Sequence, residues 1–288
     1  MFQRQECTLM FHVEKMQAAD FPFAVELANT MNWSMTTEDF VFNVKLEPAG
    51  CFVLFDDHER VGIATSISYG RVGWFGNLVV AEAYREKGAG TLLVEHAVNY
   101  LKSVGVEAIG LYAYPHLLGF YGKFGFKLDV DFLVLKAEKV SSVDEGKLEK
   151  VEKQNLPALS NFDGRCFGAS RKKLLEQILL GKGNLCYVSM EESEVVGYVA
   201  AKVSGGLAEV GPLVCRGSRR ETATDLLKAV LAKLNGTEAF MYLPASEKNL
   251  VETAVNTGFQ EQFRLVRMFL GSHAAEECVY IAESLERG

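Results

Sequence analysis

The spacing of apolar and polar positions predicts a chain in which strands and helices alternate. Short apolar or alternating runs bounded by glycine and charged residues are typical of strands, and apolar positions three and four apart are typical of helices. In the first half this pattern predicts strands at residues 9–15, 51–55, 61–68, 72–80, 106–113 and 126–137. Helices are predicted from residue 22, from residue 37 behind Thr36 with Asp39 three residues on, from residue 91, and over residues 116–124.

The chain repeats itself at a shift of 135 residues. Without a gap, that shift places Pro22 on Pro157, Cys51 on Cys186, Gly62 on Gly197, Gly76 on Gly211, Leu78 on Leu213, Val79 on Val214, Arg85 on Arg220 and Leu92 on Leu227. Later in the chain, Gly125-Phe126 pairs with Gly258-Phe259 at a shift of 133. Two copies of one domain therefore stand in tandem.

The second copy shows the same order of elements. Its predicted strands lie near residue 148 and at residues 185–190, 195–203, 208–215, 239–243, 263–270 and 279–283, and its helices begin near residues 157, 170 and 222. A charged, weakly periodic segment, residues 138–154, separates the copies. We place the domain boundary there, which predicts two mixed α/β domains over residues 1–139 and 140–288, each a twisted sheet flanked by helices.

Residues 78–91 join an apolar strand to an amphipathic helix through a basic turn that contains two glycines. The N–H groups at the start of a helix lack partners within it, and the helix dipole adds positive potential, so the place suits a polyphosphate. Gly88 and Gly90 let phosphate oxygens approach the backbone, and Arg85 and Lys87 add charge-assisted hydrogen bonds. The sequence therefore predicts a polyphosphate site at residues 85–91, called the phosphate turn below.

Two motifs relate this turn to a known family. Arg85-Glu86-Lys87-Gly88-Ala89-Gly90 matches at every defined position the Arg/Gln-x-x-Gly-x-Gly/Ala motif of the GNAT superfamily of acetyl-CoA-dependent N-acyltransferases. It is neither a P-loop nor the GxGxxG dinucleotide motif. Downstream, residues 120–126 resemble the family's Tyr-x-x-x-Gly-Phe element. The second half resembles the degenerate GNAT-like domain of tandem members through residues 161–168, Arg171, Gly197-Tyr198 and residues 210–214.

The resemblance implies acetyl-CoA as the acyl donor and direct attack on its thioester by a primary amine of a small molecule or a peptide. It assigns the contacts with acetyl-CoA to Leu78, Val79, Val80, Arg85, Glu86, Lys87, Gly88, Ala89, Gly90 and Thr91. In the family, the strand would pair with the pantetheine arm like an added strand.

The resemblance also suggests catalytic and acceptor residues. It implies that Tyr121 is the acid that protonates the departing thiolate. The strand before the turn has no carboxylate for a general base, so Asn77 can only orient a water, and His116 could act through water or be a surface residue at a helix start. Trp33 and Trp74 are candidates for acceptor binding, and for the loop that carries Trp33 the alternative is packing over the core.

The second copy lacks the glycines of the phosphate turn. A shift of 135 places Ala223 and Asp225 there, and a shift of 134 places Thr222 and Thr224. A carboxylate beside a pyrophosphate is repulsive. The second domain is therefore predicted to have lost this site, although three arginines, at positions 216, 219 and 220, keep the turn basic.

Composition limits the choice of function. With 49% hydrophobic and 23% charged residues the chain is globular, and its net charge of −7 argues against nucleic acid or an anionic membrane as partner. The chain shows no apolar run long enough for a membrane span, no secretory signal core and no metal-binding cysteine spacing. Six scattered cysteines then suggest reduced thiols in a cytoplasm.

The sequence thus predicts a cytoplasmic N-acetyltransferase that uses acetyl-CoA without a metal, and it leaves homo-oligomerisation open. Two alternatives also remain: a non-catalytic sensor of acyl-CoA, and a structural pair of domains that binds no coenzyme A.

Overall fold

A computed structural model of the chain describes residues 10–143 and 148–288, which form two compact units. The first unit contains the described residues up to Ser68 together with Gly73–Val106, and the second contains Tyr69–Val72 together with the described residues from Glu107 to Gly288. No helix in the described part of the chain is both long and apolar enough to cross a membrane.

The first unit is an antiparallel sheet with helices on both faces. Its elements are β1 (Phe11–Lys15), α1 (Phe21–Asn29), α2 (Thr37–Leu46), β2 (Cys51–Asp56), β3 (Glu59–Ser68), β4 (Val72–Val80) and α3 (Ala89–Ser103). The strands lie in the order β1-β2-β3-β4. The predicted start of α2 is confirmed, because the Thr36 hydroxyl accepts the Asp39 N–H while the Asp39 carboxylate accepts the Thr36 N–H.

Successive side chains of a strand point to opposite faces of the sheet, and their contacts identify the two faces here. Val53, Ile63 and Val79 share one buried cluster with apolar residues of α1 and α2. The neighbouring residue Phe52 points the other way, where its ring meets those of His96 and Tyr100 on α3. The sheet therefore separates α1 and α2 from α3, and β4 runs directly into the turn that begins α3.

The second unit holds the remaining elements. They are β5 (Ala108–Ala113), α4 (Leu118–Gly122), β6 (Lys127–Ala137), β7 (Glu149–Lys150), α5 (Leu156–Phe167), α6 (Lys172–Leu179), β8 (Leu185–Glu191), β9 (Glu194–Ser204), β10 (Leu207–Arg216), α7 (Arg220–Lys233), β11 (Glu238–Pro244), α8 (Lys248–Asn256), β12 (Gln260–Leu270) and β13 (Cys278–Ile281). Its strands lie in the order β5-β12-β6-β11-β10-β9-β8-β7, and β13 pairs with β10. The mixed α/β class predicted from the sequence is confirmed.

Strands from the two sequence copies are interleaved in this unit. β6, which closes the first copy in sequence, pairs with β11 and β12 of the second copy, and β12 in turn pairs with β5. The compact units consequently do not divide at residue 139. The boundary at 139/140 stays a prediction about the sequence repeat and does not describe how the chain divides into compact units.

Two glycines that the repeat places in register have the same packing role. A Cβ on Gly62 of β3 would lie 3.1 Å from Leu93 Cδ1 of α3, and a Cβ on Gly197 of β9 would lie 2.9 Å from Leu226 Cδ1 of α7. In each copy the missing side chain lets the helix approach the strand. This close approach is a physical reason for the repeated glycine.

Replacement of Gly62 by valine should therefore destabilise the protein. The added atoms would meet Leu93 and the Val79 carbonyl oxygen, which lies 3.2 Å from the ideal Cβ, so overpacking should lower the free energy of unfolding by about 1–3 kcal/mol. Denaturant titration of the variant tests this expectation. Gly119→Ala in α4, where a Cβ meets nothing within 4 Å, is the control, and equal stability losses in both variants would contradict the packing explanation.

The prediction that all cysteines are reduced is wrong for one pair. Cys166 at the end of α5 and Cys278 at the start of β13 form a disulfide across a separation of 112 residues. Cys51, Cys186 and Cys215 are buried free thiols, and Cys7 lies outside the described residues. Local spacing could not reveal the bond, because only the tertiary fold brings its two halves together.

Candidate acetyl-CoA site

The strand that leads into the phosphate turn carries a bulge. β3 and β4 pair as Thr65 with Gly76 and then as Ile63 with Val79, so two residues of β4 lie opposite one of β3. Asn77, within the bulge, has a φ of +49°, in the left-handed region. The bulge consists of Asn77 and Leu78, and Leu78 is the first of the residues that the resemblance assigns to pantetheine.

Two buried polar atoms lie at this bulge without a hydrogen-bond partner among the described residues. They are the Asn77 Nδ2 and the Thr65 Oγ1, on residues that are 7% and 0% exposed. Buried polar groups are nearly always hydrogen-bonded, so these two atoms mark the bulge as a place where a bound water or a ligand can supply a missing partner. From the sequence, Asn77 was predicted only to orient a water molecule. Its place in a glycine-containing strand, Gly76-Asn77, was the available signal of a bulge.

The phosphate turn follows β4 through a short 3₁₀ turn at Glu82–Tyr84. The Tyr84 hydroxyl donates to the Glu59 carboxylate over 2.9 Å, which ties the turn to β3. Arg85 Nε donates to the Val80 carbonyl oxygen over 3.0 Å, while the Lys87 ammonium lies 5.7 Å from the centre of the Tyr84 ring. Both cationic side chains are exposed and remain close to the start of α3.

Gly88 is the N-cap of α3 and adopts a left-handed conformation, with φ of +90°. A Cβ built on it would meet nothing within 4 Å, so the space in front of the backbone is open. No side chain caps the helix, which leaves the N–H groups of its first turn available to an anion. The predicted phosphate turn thus has the open backbone, the positive helix end and the exposed cations that a diphosphate requires.

The corresponding turn of the second copy is arranged differently. Its three arginines are each paired with a carboxylate: Arg216 with Glu194, Arg219 with Glu191, and Arg220 with Glu247. Ala223, which aligns with Gly88, is buried. The positive charge of this turn is therefore neutralised by the protein itself, and the loss of a phosphate site in the second copy stays a prediction.

Tyr121 lies on α4, in the second unit, and is only 6% exposed. Its ring contacts those of Phe120 and Phe126 edge to face. Burial raises the pKa of the Tyr121 phenol well above its ordinary value, so the hydroxyl holds its proton at neutral pH. His116, in the turn before α4, is exposed and stacks on Tyr114.

The two candidate tryptophans occupy different environments. Trp33 is partly buried against the cluster formed by α1 and α2, beside Met31 and Met35, where part of its surface remains accessible. Trp74 on β4 is only 1% exposed and is among the largest fully buried side chains. The structure therefore places Trp74 in the core, where the sequence had predicted an acceptor contact, and leaves Trp33 as the candidate for acceptor contact.

No cluster of three or more potential metal ligands occurs among the residues that the structure describes. The chemistry available at the phosphate turn and the bulge of β4 consists of backbone amides, exposed cations and the unsatisfied amide of Asn77.

Both halves of the sequence match profiles of one family. The profile "Acetyltransferase (GNAT) family" matches residues 13–126, and the profile "Acetyltransferase (GNAT) domain" matches residues 159–280. Together the two matches account for most of the chain. Among curated proteins, the "Uncharacterized N-acetyltransferase YitI" of Bacillus subtilis (strain 168) is 38% identical over 50 residues, which is 17% of this chain and 34% of that protein. The chain thus aligns with about a third of that relative's length.

Solved structures resemble the whole chain in fold. A putative acetyltransferase from Pyrococcus horikoshii superposes with a TM-score of 0.79 at 21% identity, covering 100% of both chains. A GCN5-related N-acetyltransferase from Sphaerobacter thermophilus gives 0.68 at 16% identity, over 94% of this chain and all of the other. A tandem GNAT protein from the clavulanic acid biosynthesis pathway gives 0.62 at 15% identity, over 91% and 98% of the two chains. At these identities the likeness concerns the fold alone.

Proposed function

Because the chain belongs to the GNAT acetyltransferase family and carries two such domains in tandem, we propose that its first half transfers an acetyl group from acetyl-CoA to a primary amine. The observation that carries the proposal is the open, uncapped start of α3 at Gly88, flanked by Arg85 and Lys87. The second half keeps the fold and acts as a scaffold.

The phosphate turn would hold the diphosphate of coenzyme A. Main-chain amides of the first turn of α3 donate to phosphate oxygens, and the two exposed cations balance their charge. The last residues of β4, Leu78, Val79 and Val80, would pair with the extended pantetheine arm. When bound, acetyl-CoA supplies an acyl group that is already activated as a thioester.

Tyr121 is proposed as the acid that protonates the leaving thiolate. A general acid must carry its proton at the working pH, and burial keeps this phenol protonated. No carboxylate lies on β4, so the acceptor amine would lose its proton to water, with His116 as the candidate side chain for relaying that proton.

An acceptor with an ammonium group and an apolar stem fits the loop between α1 and α2. Trp33, Met31 and Met35 give that loop an apolar, aromatic surface, and the exposed Glu38 follows it. An aromatic face beside a carboxylate attracts a cation. We therefore place the acceptor of this half against the loop.

Asn77 is proposed to contact the bound acyl-CoA through its unsatisfied amide. We expect Asn77→Gly to lower kcat/KM about tenfold, which is the effect of one lost hydrogen bond of about 1.4 kcal/mol. The melting temperature should not fall, since glycine relieves the left-handed backbone at this position. Asp57→Gly, which relieves a φ of +53° in the turn between β2 and β3, is the control and should keep full kcat/KM. Full activity of Asn77→Gly would remove Asn77 from the site.

Turnover tests the proposed function directly. The full-length protein is incubated with acetyl-CoA and a panel of primary amines, and free thiol release is followed together with the mass of the acetylated amine. Acetylation of a cationic amine is expected. Tight acetyl-CoA binding with no turnover across a broad panel would favour a sensor of acyl-CoA, and no binding at all would favour a structural pair of domains.

A further inference from the structure

The second copy contains an opening between two strands that separate. β10 and β11 pair in parallel as far as Val210 and Met241. Beyond that point β10 pairs instead with β13, from Leu213 opposite Ile281 to Arg216 opposite Cys278. Ala282, which follows the last residue of β13, donates its N–H to the Tyr242 carbonyl oxygen of β11 over 2.9 Å. The segment at residues 278–282 therefore fills the opening and bonds to both strands.

The sequence repeat shows which part of the first half corresponds to this opening. Residues 213–215 align with residues 78–80, which are the ones assigned to the pantetheine arm in the first half. In the second half, the edge of β10 at these residues is hydrogen-bonded to the chain's own β13. A segment of the protein thus takes the place that an extended ligand would occupy.

The opening between β10 and β11, called the groove below, fits this segment closely. A Cβ on Gly211 of β10 would lie 1.9 Å from the Ala282 carbonyl oxygen, so only glycine permits the approach. Glu283 is fully buried and bonds to Lys202 and Arg287. Residues 278–288 are called the strap below. Through these contacts the strap occupies the groove as a bound peptide would.

Buried donors also hold the far end of the strap. The Tyr69 hydroxyl donates to the Arg287 carbonyl oxygen over 2.9 Å. Arg171, which is fully buried and paired with Asp163, donates to the Gly288 carbonyl oxygen over 2.6 Å. The strap is therefore held along its length by polar groups as well as by strand pairing.

A disulfide secures the near end of the strap. Cys278 is the first residue of β13, and its partner Cys166 lies on α5, outside the strap. Both cysteines are half-buried, whereas the described free thiols are buried. The bond is thus accessible to a small reductant and joins the strap to the body of the second unit.

We propose that the strap closes the acyl-pantetheine groove of the second half and that the Cys166–Cys278 disulfide locks it there. A dithiol reductant unlocks it: the S–S bond breaks, two electrons and two protons from the dithiol convert the cysteines to two thiols, and the dithiol becomes a disulfide. With the covalent tether gone, the strap leaves β10 more often, because only non-covalent contacts hold it. The proposal does not depend on catalysis by the first half.

Amide hydrogen exchange of the full-length protein, oxidised and reduced, tests this lock. The amides of residues 213–216, which face β13, should exchange at least about tenfold faster after reduction, because a cross-link restricts local opening. Amides of β2 and β3 in the first unit serve as an internal control. Cys166→Ser with Cys278→Ser should exchange at the faster rate with or without reductant, and Cys186→Ser should behave like the parent protein. An acceleration of less than about tenfold at residues 213–216 would overturn the proposal.

Gly211→Ala tests the groove without altering the cysteines. The added Cβ must displace the backbone at Ala282, so residues 213–216 should exchange several-fold faster even in the oxidised protein. Unchanged exchange at these residues would show that the strap is not seated against β10 in this way.

Discussion

Replacement of both Gly88 and Gly90 by aspartate is expected to abolish acetyl-CoA binding, with an affinity loss of more than about a hundredfold. Each carboxylate would lie against the diphosphate, and a repulsion near 4 Å is worth about 4 kcal/mol for partly exposed charges. Gly88 also has a φ of +90°, which costs a side-chain-bearing residue about 1–2 kcal/mol. A hundredfold loss needs only about 2.8 kcal/mol, so the electrostatic effect alone exceeds it. Isothermal titration calorimetry with acetyl-CoA measures the loss.

Asp225→Gly in the second copy is the matched control for this variant. It removes a carboxylate from the equivalent turn, yet the arginines there remain paired with Glu191, Glu194 and Glu247. The affinity and the stoichiometry of one acetyl-CoA per chain should therefore stay unchanged. Circular dichroism establishes that the double aspartate variant is folded. Undiminished affinity in that folded variant would exclude the phosphate turn as the binding site.

Tyr121→Phe is expected to lower kcat about a hundredfold while KM changes less than about twofold. General acid catalysis contributes about 10²–10⁴-fold, and phenylalanine fills the same buried space without the proton. Because the substitution removes only a hydroxyl, substrate binding should be largely retained. Steady-state kinetics over a range of amine concentrations separates the two parameters. Tyr114→Phe, which removes a hydroxyl from a half-buried tyrosine, is the matched control. An unchanged kcat in the Tyr121→Phe variant would exclude Tyr121 as the acid.

The local structure of this chain could be predicted from its sequence because the signals are local. The Thr36–Asp39 capping box, the glycine at the start of α3 and the alternating runs of β2 and β3 each fix a few neighbouring dihedral angles. The repeat added long-range information, since Gly62 and Gly197 proved to have the same packing role. The phosphate turn was predicted in the same way, from backbone requirements within a few residues.

The remaining features depend on contacts that no local pattern encodes. The periodicity of residues 127–137 indicates a strand but not its partners, so the pairing of β6 with β11 and β12 could not be foreseen. The Cys166–Cys278 bond joins residues far apart in sequence. Trp74 was predicted to face the acceptor because it lies on the strand before the phosphate turn, and only the packed fold shows that its side chain is buried.

The most direct measurement of the central claim is amide hydrogen exchange with and without coenzyme A. If the phosphate turn binds the diphosphate through main-chain amides, residues 88–91 should become protected at saturating coenzyme A, and residues 220–225 of the second copy should not change. Protection confined to the second copy, or no protection at residues 88–91 in a protein that binds coenzyme A, would contradict the account.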